Sequence, residues 1–293
     1  MRVSEQAIFT LANQRIMRAR AESVEAGDQV ASGKRVTHPW DAPADAGAIV
    51  RYEQEGARQG AIAKMADRSS EELGMVDGAL DQVTTSLTRI KELAVQLSND
   101  TYGAVDRAAG AAEVQQLFTA VVSQLNVRIG ERYLFGGTQD TAPPFDANGN
   151  YLGDANVRRV EIAPGVLQDA SARADVALKG AGGGTDVLVT IQNFVTALNA
   201  NDPVGVRTAV GVMDDSIAQV SKERSRVGAM MNVFDVAANM ARQTQNSSAD
   251  ARSQLEDVDI FEASTRLAST QRALEASISA AAQQFKLSLL DKL

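Results

Sequence analysis

The chain has 293 residues, none of them Cys and one of them His, and carries a formal net charge of −8 with a pI near 4.9. The lack of Cys excludes disulfides, thiolate metal sites and a cysteine nucleophile, and the acidic balance argues against nucleic acid or an anionic membrane as the main partner. Hydrophobic residues make up 44% but aromatics only 4%, a composition that suits narrow helix–helix seams better than a thick globular core.

The N-terminal MRVSEQAIFTLANQRIMRAR lacks an apolar core followed by a small-residue cleavage site, so no Sec signal peptide is expected. No apolar run reaches the length of roughly 18 residues that a membrane-spanning helix needs. Phe9, Ala12, Ile16, Ala19, Ser23, Ala26 and Val30 recur at alternating steps of three and four, which predicts a helix with a modest, partly polar seam.

Residues 27–47, GDQVASGKRVTHPWDAPADAG, hold the lone His and the lone Trp beside a Gly-Lys pair. A phosphate loop needs four residues between its glycines and a Ser or Thr after the Lys. Here five residues separate Gly27 from Gly33, and Arg35 follows Lys34, so nucleotide binding is rejected. Gly33 is expected to end the first helix in a left-handed conformation, with Lys34 and Arg35 near the negative end of its dipole. His38 has Asp41 and Asp45 close in sequence, but a proline-bracketed loop offers no obvious pocket for acid–base chemistry. Trp40, between Pro39 and Pro43, is expected to pack the loop onto a helix or a neighbouring subunit.

Leu73, Val76, Leu80, Val83, Leu87, Ile90, Ala94 and Leu97 form one helical stripe, and a helix from about Ala44 to Ser98 follows from the absence of proline across it. After a break at Asn99-Asp100-Thr101-Tyr102-Gly103, a second helix carries Val114, Leu117, Phe118, Val121, Leu125 and Ile129 and is expected to stop near Gly136-Gly137. Residues 143–185 depart from helix: Asn148-Gly149 marks a hairpin, Val160 and Ile162 alternate with charged residues, and Ala163-Pro164-Gly165 closes that run as a turn. Gly180-Ala181-Gly182-Gly183-Gly184 reads as a flexible joint before a short helix over Val187–Leu198. Pro203 opens a returning helix with Val206, Val210, Met213, Ile217, Val220, Val227, Met231, Phe234, Ala238 and Ala241 on one stripe. A register change near Leu255–Ile260 starts the last stripe, which includes Ile260, Leu267, Leu274, Ile278 and Phe285. Asp257 and Asp259 suit the start of that helix. Arg224 and Arg226, near Glu223, read as solvated pairs or rim contacts, and neither acidic cluster, Asp257/Asp259/Glu262 or Asp214/Asp215, has the spacing of a calcium loop.

The expected fold is mainly α: a long helical coiled-coil bundle with paired N- and C-terminal helices and a small β-rich insertion. Its expected divisions are an inner helix and connector (1–43), an outgoing bundle half (44–140), a β-rich outer domain (141–185), a return half (186–255) and a C-terminal inner helix (256–293). No segment makes a credible active site, metal site or cofactor site, so no enzyme is expected.

The segments SGKRVTHPWDAPADAG (32–47), GERYLFGGTQ (130–139), ERSRVGAMMN (223–232) and DIFEASTRLASTQRALEASISAAAQQFKLSLLDKL (259–293) resemble the flagellin superfamily. MRVSEQ and SLLDKL look like the termini of its junction-forming members more than those of its filament subunits. The resemblance implies a structural subunit of the bacterial flagellum, exported through the flagellar type III apparatus without a cleaved signal. It places Phe9, Ile16, Val30, Ile260, Leu267, Leu274, Ile278 and Phe285 in an inner coiled coil used for assembly. It places Gly33, Pro39, Trp40 and Pro43 in a connector between shells. The implied role is a ring between hook and filament that adapts one lattice to the other, with a short filament flagellin as the alternative. The implied partners are further copies of the chain, a hook-associated protein on the hook side, flagellin or another junction protein on the filament side, and an export chaperone. Neither nucleic acid nor membrane is among them. His38-Pro39-Trp40 departs from the family, which usually carries smaller polar residues there.

Overall fold

A computed structural model describes residues 2–290, with side chains described for residue 7 and residues 9–283. Its helices are α1 (Arg2–Ser32), α2 (Pro43–Leu97), α3 (Ala104–Leu125), α4 (Ala174–Lys179), α5 (Val187–Asn199), α6 (Pro203–Glu256) and α7 (Ile260–Leu290). Between α3 and α4 run β1 (Arg128–Ile129), β2 (Arg132–Tyr133), β3 (Arg159–Ala163) and β4 (Val166–Asp169), paired as two antiparallel two-stranded sheets. The mainly helical fold with a small β insertion is therefore as the sequence leads one to expect.

The chain divides into two compact units, Met1–Arg58 with Thr244–Leu293 and Gln59–Gln243. The second holds the large core. Leu73, Leu80, Val83, Leu87 and Ile90 of α2 are buried with Phe118 of α3, Phe194 of α5 and Phe234 of α6. The stripe spaced by three and four on α2 thus faces a continuous apolar interior, which is what holds so long a helix in water. Polar contacts fix the antiparallel return of α6. Arg224 donates to Asp77 at 3.0 Å and to Asp81 at 2.7 Å, while Lys91 pairs with Asp214 at 2.6 Å. Arg224 is therefore not a partner of neighbouring Glu223, as its sequence position suggested. Glu223 instead pairs with Arg226 at 2.9 Å and accepts from the Arg173 amide at 3.0 Å.

The end of α2 is closed from the next helix. Arg107 is buried, and its guanidinium donates to the carbonyl oxygens of Leu97 and Asn99 and to Asn201 Oδ1. Gly110 makes that approach possible, because a Cβ there would lie 2.3 Å from Leu97 Cδ1.

The second helix ends at Leu125, well short of Gly136. Asn126 leaves the helix, donates to the Phe145 carbonyl at 2.9 Å and accepts from the Phe145 amide at 3.0 Å. Ile129, the last residue of the apolar stripe, lies in β1 instead. Gly180 caps α4 with a positive φ, and Gly183 and Gly184 donate back to its carbonyl at 3.2 and 3.0 Å. The glycine run is a hydrogen-bonded turn where the sequence suggested a loose joint. The insertion also shares the main core, since Phe145, Val160, Ala170, Ala177 and Leu178 are buried with the helices.

One carboxylate anchors both sheets. Glu72, on α2, is buried and receives Arg132 of β2 and Arg158 just before β3, with Arg68 3.4 Å away. Burial pushes its carboxyl up, but hydrogen bonds from Arg132 and Arg158 outweigh this and hold it below the ordinary value of 4.5.

Candidate functional site

In the first unit α1 and α7 pack antiparallel. Glu25 faces Arg266 at 3.6 Å, Gly27 stands against Leu267, and the Val258 amide donates to the Gly33 carbonyl at 3.0 Å. Among the described residues, the buried positions of this pair are small: Ala19, Ala26, Ala263 and Ala281. Alanine seams let two helices approach closely but remove little apolar area from water. Ile16, Val30, Leu267 and Leu274 are half-buried beside that seam. Phe9 remains 56% exposed, Ile260 52% and Ile278 50%. Phe285 lies outside the residues whose side chains are described.

Gly33 ends α1 with φ 70°, its amide donating to Gln29. Lys34 and Asp257 then form an antiparallel bridge, and the amides of Arg35 and Val36 both donate to the Glu256 carbonyl. Lys34 Nζ lies 2.5 Å from Glu256 Oε1, and Arg35 donates to the Leu255 carbonyl at 2.6 Å. The basic pair therefore closes the end of α6 rather than the end of α1, because the chain turns back beside Glu256 immediately after Gly33. The sequence marked Leu255–Ile260 only as a register change and not as the acceptor for the basic pair; the acidic Glu256 at that break was the available signal. Asp259 caps α7, accepting from Phe261 at 2.8 Å and Glu262 at 3.2 Å.

The connector is tied by Asp41, whose Oδ2 accepts the amides of His38 and Thr37 and the Thr37 hydroxyl. The His38 amide is the main cause of a carboxyl held below its usual range. Pro39 is exposed, and Pro43 opens α2 at the first helical position, one residue ahead of the expected start. Trp40 is 73% exposed and stacks on His38, with ring centroids 4.5 Å apart and planes 14° apart. Of the two partners expected for it, a helix of its own chain or a neighbouring subunit, the exposure disfavours the first: the short Asp41-tied turn directs the ring outward over His38. The loop also borders an open groove of about 730 Å³, lined by Met17, Arg20, Ala21 and Val24 of α1 and by Thr37 and His38. This corrects the expectation of no pocket there.

His38 Nδ1 lies 3.0 Å from Thr37 Oγ1, whose hydroxyl donates to Asp41 Oδ2 at 2.9 Å, so the three side chains form a local turn network that also takes the backbone amides of Thr37 and His38. Among the described residues, no group of three or more His, Cys, Asp or Glu is placed to hold a metal ion. No helix among them is long and apolar enough to cross a membrane. What the arrangement offers is a clamped pair of helices with large apolar side chains left facing water.

Residues 3–140 match the bacterial flagellin N-terminal helical region, and residues 210–293 match the bacterial flagellin C-terminal helical region. The flagellar hook-associated protein 3 of Escherichia coli (strain K12) is 25% identical, over 99% of this chain and 98% of that protein. Its counterpart from Salmonella typhimurium (strain LT2) is 32% identical, over 52% of this chain and 49% of that protein. In fold, the crystal structure of Bacillus cereus FlgL superposes with a TM-score of 0.59 at 21% identity, covering 68% of this chain and 97% of that one. With both helical regions matched and a hook-associated protein 3 aligned along its whole length, the chain belongs to the flagellin family.

Proposed function

We propose that this chain forms the ring of subunits between the flagellar hook and its filament and adapts one lattice to the other. The family is structural and not enzymatic, and the chain is a structural protein of the bacterial flagellum. The junction role draws its support from the end-to-end likeness to hook-associated protein 3.

The observation that carries the reading physically is the exposure of Phe9, Ile260 and Ile278 on a helix pair whose buried positions, among the described residues, are alanines, and of Trp40 in the connector beside it. Burying the remaining half of such a side chain contributes about 1 kcal/mol, so several together favour assembly over the free subunit. On this reading Phe9, Ile16, Val30, Ile260, Leu267, Leu274, Ile278 and Phe285 serve the inner assembly, and Gly33, Pro39, Trp40 and Pro43 form the connector between shells. The partners are further copies, a hook-associated protein on one side, and flagellin or another junction protein on the other. An export chaperone would cover the apolar terminal faces before secretion, which on this reading uses the flagellar export route without a cleaved signal.

Deleting the gene tests this. The expected result is cells with hooks but no attached filaments, and flagellin released into the medium. Normal filaments on the deletion strain would overturn it. Purified chain that polymerises alone into long filaments would point instead to a short filament flagellin.

A further inference from the structure

We propose that Phe261 of one copy inserts into the groove between α1 and the connector of the next copy, joining the paired terminal helices head to tail. This inference rests on the ring reading and supplies a specific contact for it.

Phe261 is 84% exposed, the most exposed large aromatic side chain among the described residues. Its backbone is fixed, because the Asp259 side chain accepts its amide at 2.8 Å in the first turn of α7. Its direction follows from its neighbours. Ala263 is buried, and Phe261 stands two residues before it, about 200° round the helix. Since α7 packs on α1 through that buried face, Phe261 points away from α1.

The groove faces the other way by the same arithmetic. Ala19 and Ala26 are the buried residues of α1, and Met17 and Val24 each stand two residues before one of them. Met17 is 58% exposed and Val24 56%. With Ala21 between them, they form the apolar part of the floor of a groove of about 730 Å³, which Thr37 and His38 bound on one side and charged side chains rim. The His38 ring, backed by Trp40 at 4.5 Å, supplies an aromatic wall on which a phenyl ring can stack.

A knob and a groove on opposite faces of one helix pair cannot fill each other within one copy. Between copies they make a heterologous contact, the kind that repeats and closes into a ring or winds into a helix. Charge supports a second copy as the occupant. Glu262 sits beside the knob. Of the charges lining the groove, Glu25 pairs with Arg266, Asp41 takes backbone amides and Arg35 reaches Leu255, which leaves Asp28 and the cation Arg20. Arg20 and Glu262 have no side-chain partner among the described residues. Docking brings these opposite charges together at the polar edge of an apolar contact.

The chain contains no Cys, so introduced thiols report without background. The full-length double variant Ala21→Cys with Phe261→Cys is expressed in the deletion strain, and its flagella are isolated with hooks and oxidised. A disulfide-linked ladder of copies is expected from the double variant. Dimers only are expected when the two single variants are co-expressed, and none from either alone. Subunits that assemble at the junction without a ladder would overturn the contact. So would a link from Ala21→Cys to a different protein. Should the cysteine variant not assemble, a charge exchange decides. Arg20→Glu and Glu262→Arg are each expected to lower junction-bound subunit about tenfold, and the double exchange to restore it. Failure of the double exchange to restore binding, with both single variants folded by circular dichroism, would overturn the contact. If the ladder forms but the deletion strain still carries normal filaments, the contact stands and the junction role falls.

Discussion

Arg35 reaches from the connector to Leu255 and donates to its main-chain carbonyl at 2.6 Å. The last carbonyls of a helix lack partners of their own, so a cation placed there both satisfies an acceptor and meets the negative end of the dipole. Replacing Arg35 with Ala should cost about 1 kcal/mol locally, since the guanidinium is about half exposed. Amide hydrogen exchange reads this at Asp257 and Val258, whose amides donate to Ser253 and Gly33. Roughly fivefold faster exchange is expected there, with the amides of Gln59–Gln243 unchanged. Unchanged exchange at both positions would mean that the bridge between Lys34 and Asp257 carries the clamp alone.

Glu72 gives the second unit a definite response to acid. Its folded carboxyl titrates below 4.5, because the hydrogen bonds of Arg132 and Arg158 outweigh its burial. A depressed folded value means stabilisation that is complete above the unfolded value and is lost as pH falls through the folded one. Melting curves from pH 7 down to about pH 3 should therefore show wild type losing more stability than Glu72→Gln, which has no proton to take up. At neutral pH Glu72→Ala should cost about 2 kcal/mol. That is less than a fully buried pair loses, since Arg132 and Arg158 remain partly hydrated.

Asn126 holds both backbone groups of Phe145, a residue only 1% exposed. Asn126→Ala leaves a buried amide and a buried carbonyl without partners, at a cost of about 2–3 kcal/mol in the melting of the second unit. Asn126→Asp keeps the acceptor for the Phe145 amide but sets a carboxylate against its carbonyl, so it should recover little. If Asn126→Ala melts like wild type, Asn126 is not what ends α3.

Much of this fold was legible because burial imposes a period. Leu73 through Leu97 had to lie on one stripe, and the helix runs through all of them. Pro203 and Gly33 marked ends because each restricts or frees the backbone in a way a helix boundary needs. The end of α3 was not legible, since Ile129 continues the apolar spacing and the stop comes from Phe145, far along the chain from Asn126. Long-range polar pairing was hidden for the same reason: Arg224 finds Asp77 and Asp81, not Glu223 beside it. At the candidate site, the stripe of α1 held Ala19 and Ala26 together with Ile16 and Val30, and the burial falls on the two alanines while the larger pair stays half-buried. A single helix pair has too narrow a seam to bury large side chains as well as small ones.

Trp40 is the only Trp, so its fluorescence reports on one place. At 73% exposure it should emit as a solvated indole in the free subunit and be readily quenched by iodide. In isolated flagella with the subunit assembled, the emission should shift to the blue and iodide should lose access, because the connector then meets a neighbour. Equal quenching in both states would place Trp40 on the outer surface and remove it from the assembly contacts.

A chain that stops at Asp259 separates the two units most sharply. Leu80, Leu87, Phe118, Phe194 and Phe234 are fully buried within Gln59–Gln243 and draw nothing from α7, so the main melting transition should be retained. The loss of helical ellipticity should nevertheless exceed the 31 residues of α7. With α7 gone, Ala19 and Ala26 lose the surface that buries them, and a lone helix with so polar a seam is marginal in water, so α1 should unwind along much of its own 31 residues. Assembly into flagella should be abolished. A loss equal to α7 alone would show that α1 is helical without its partner, and a lost main transition would show that the second unit depends on the terminal pair.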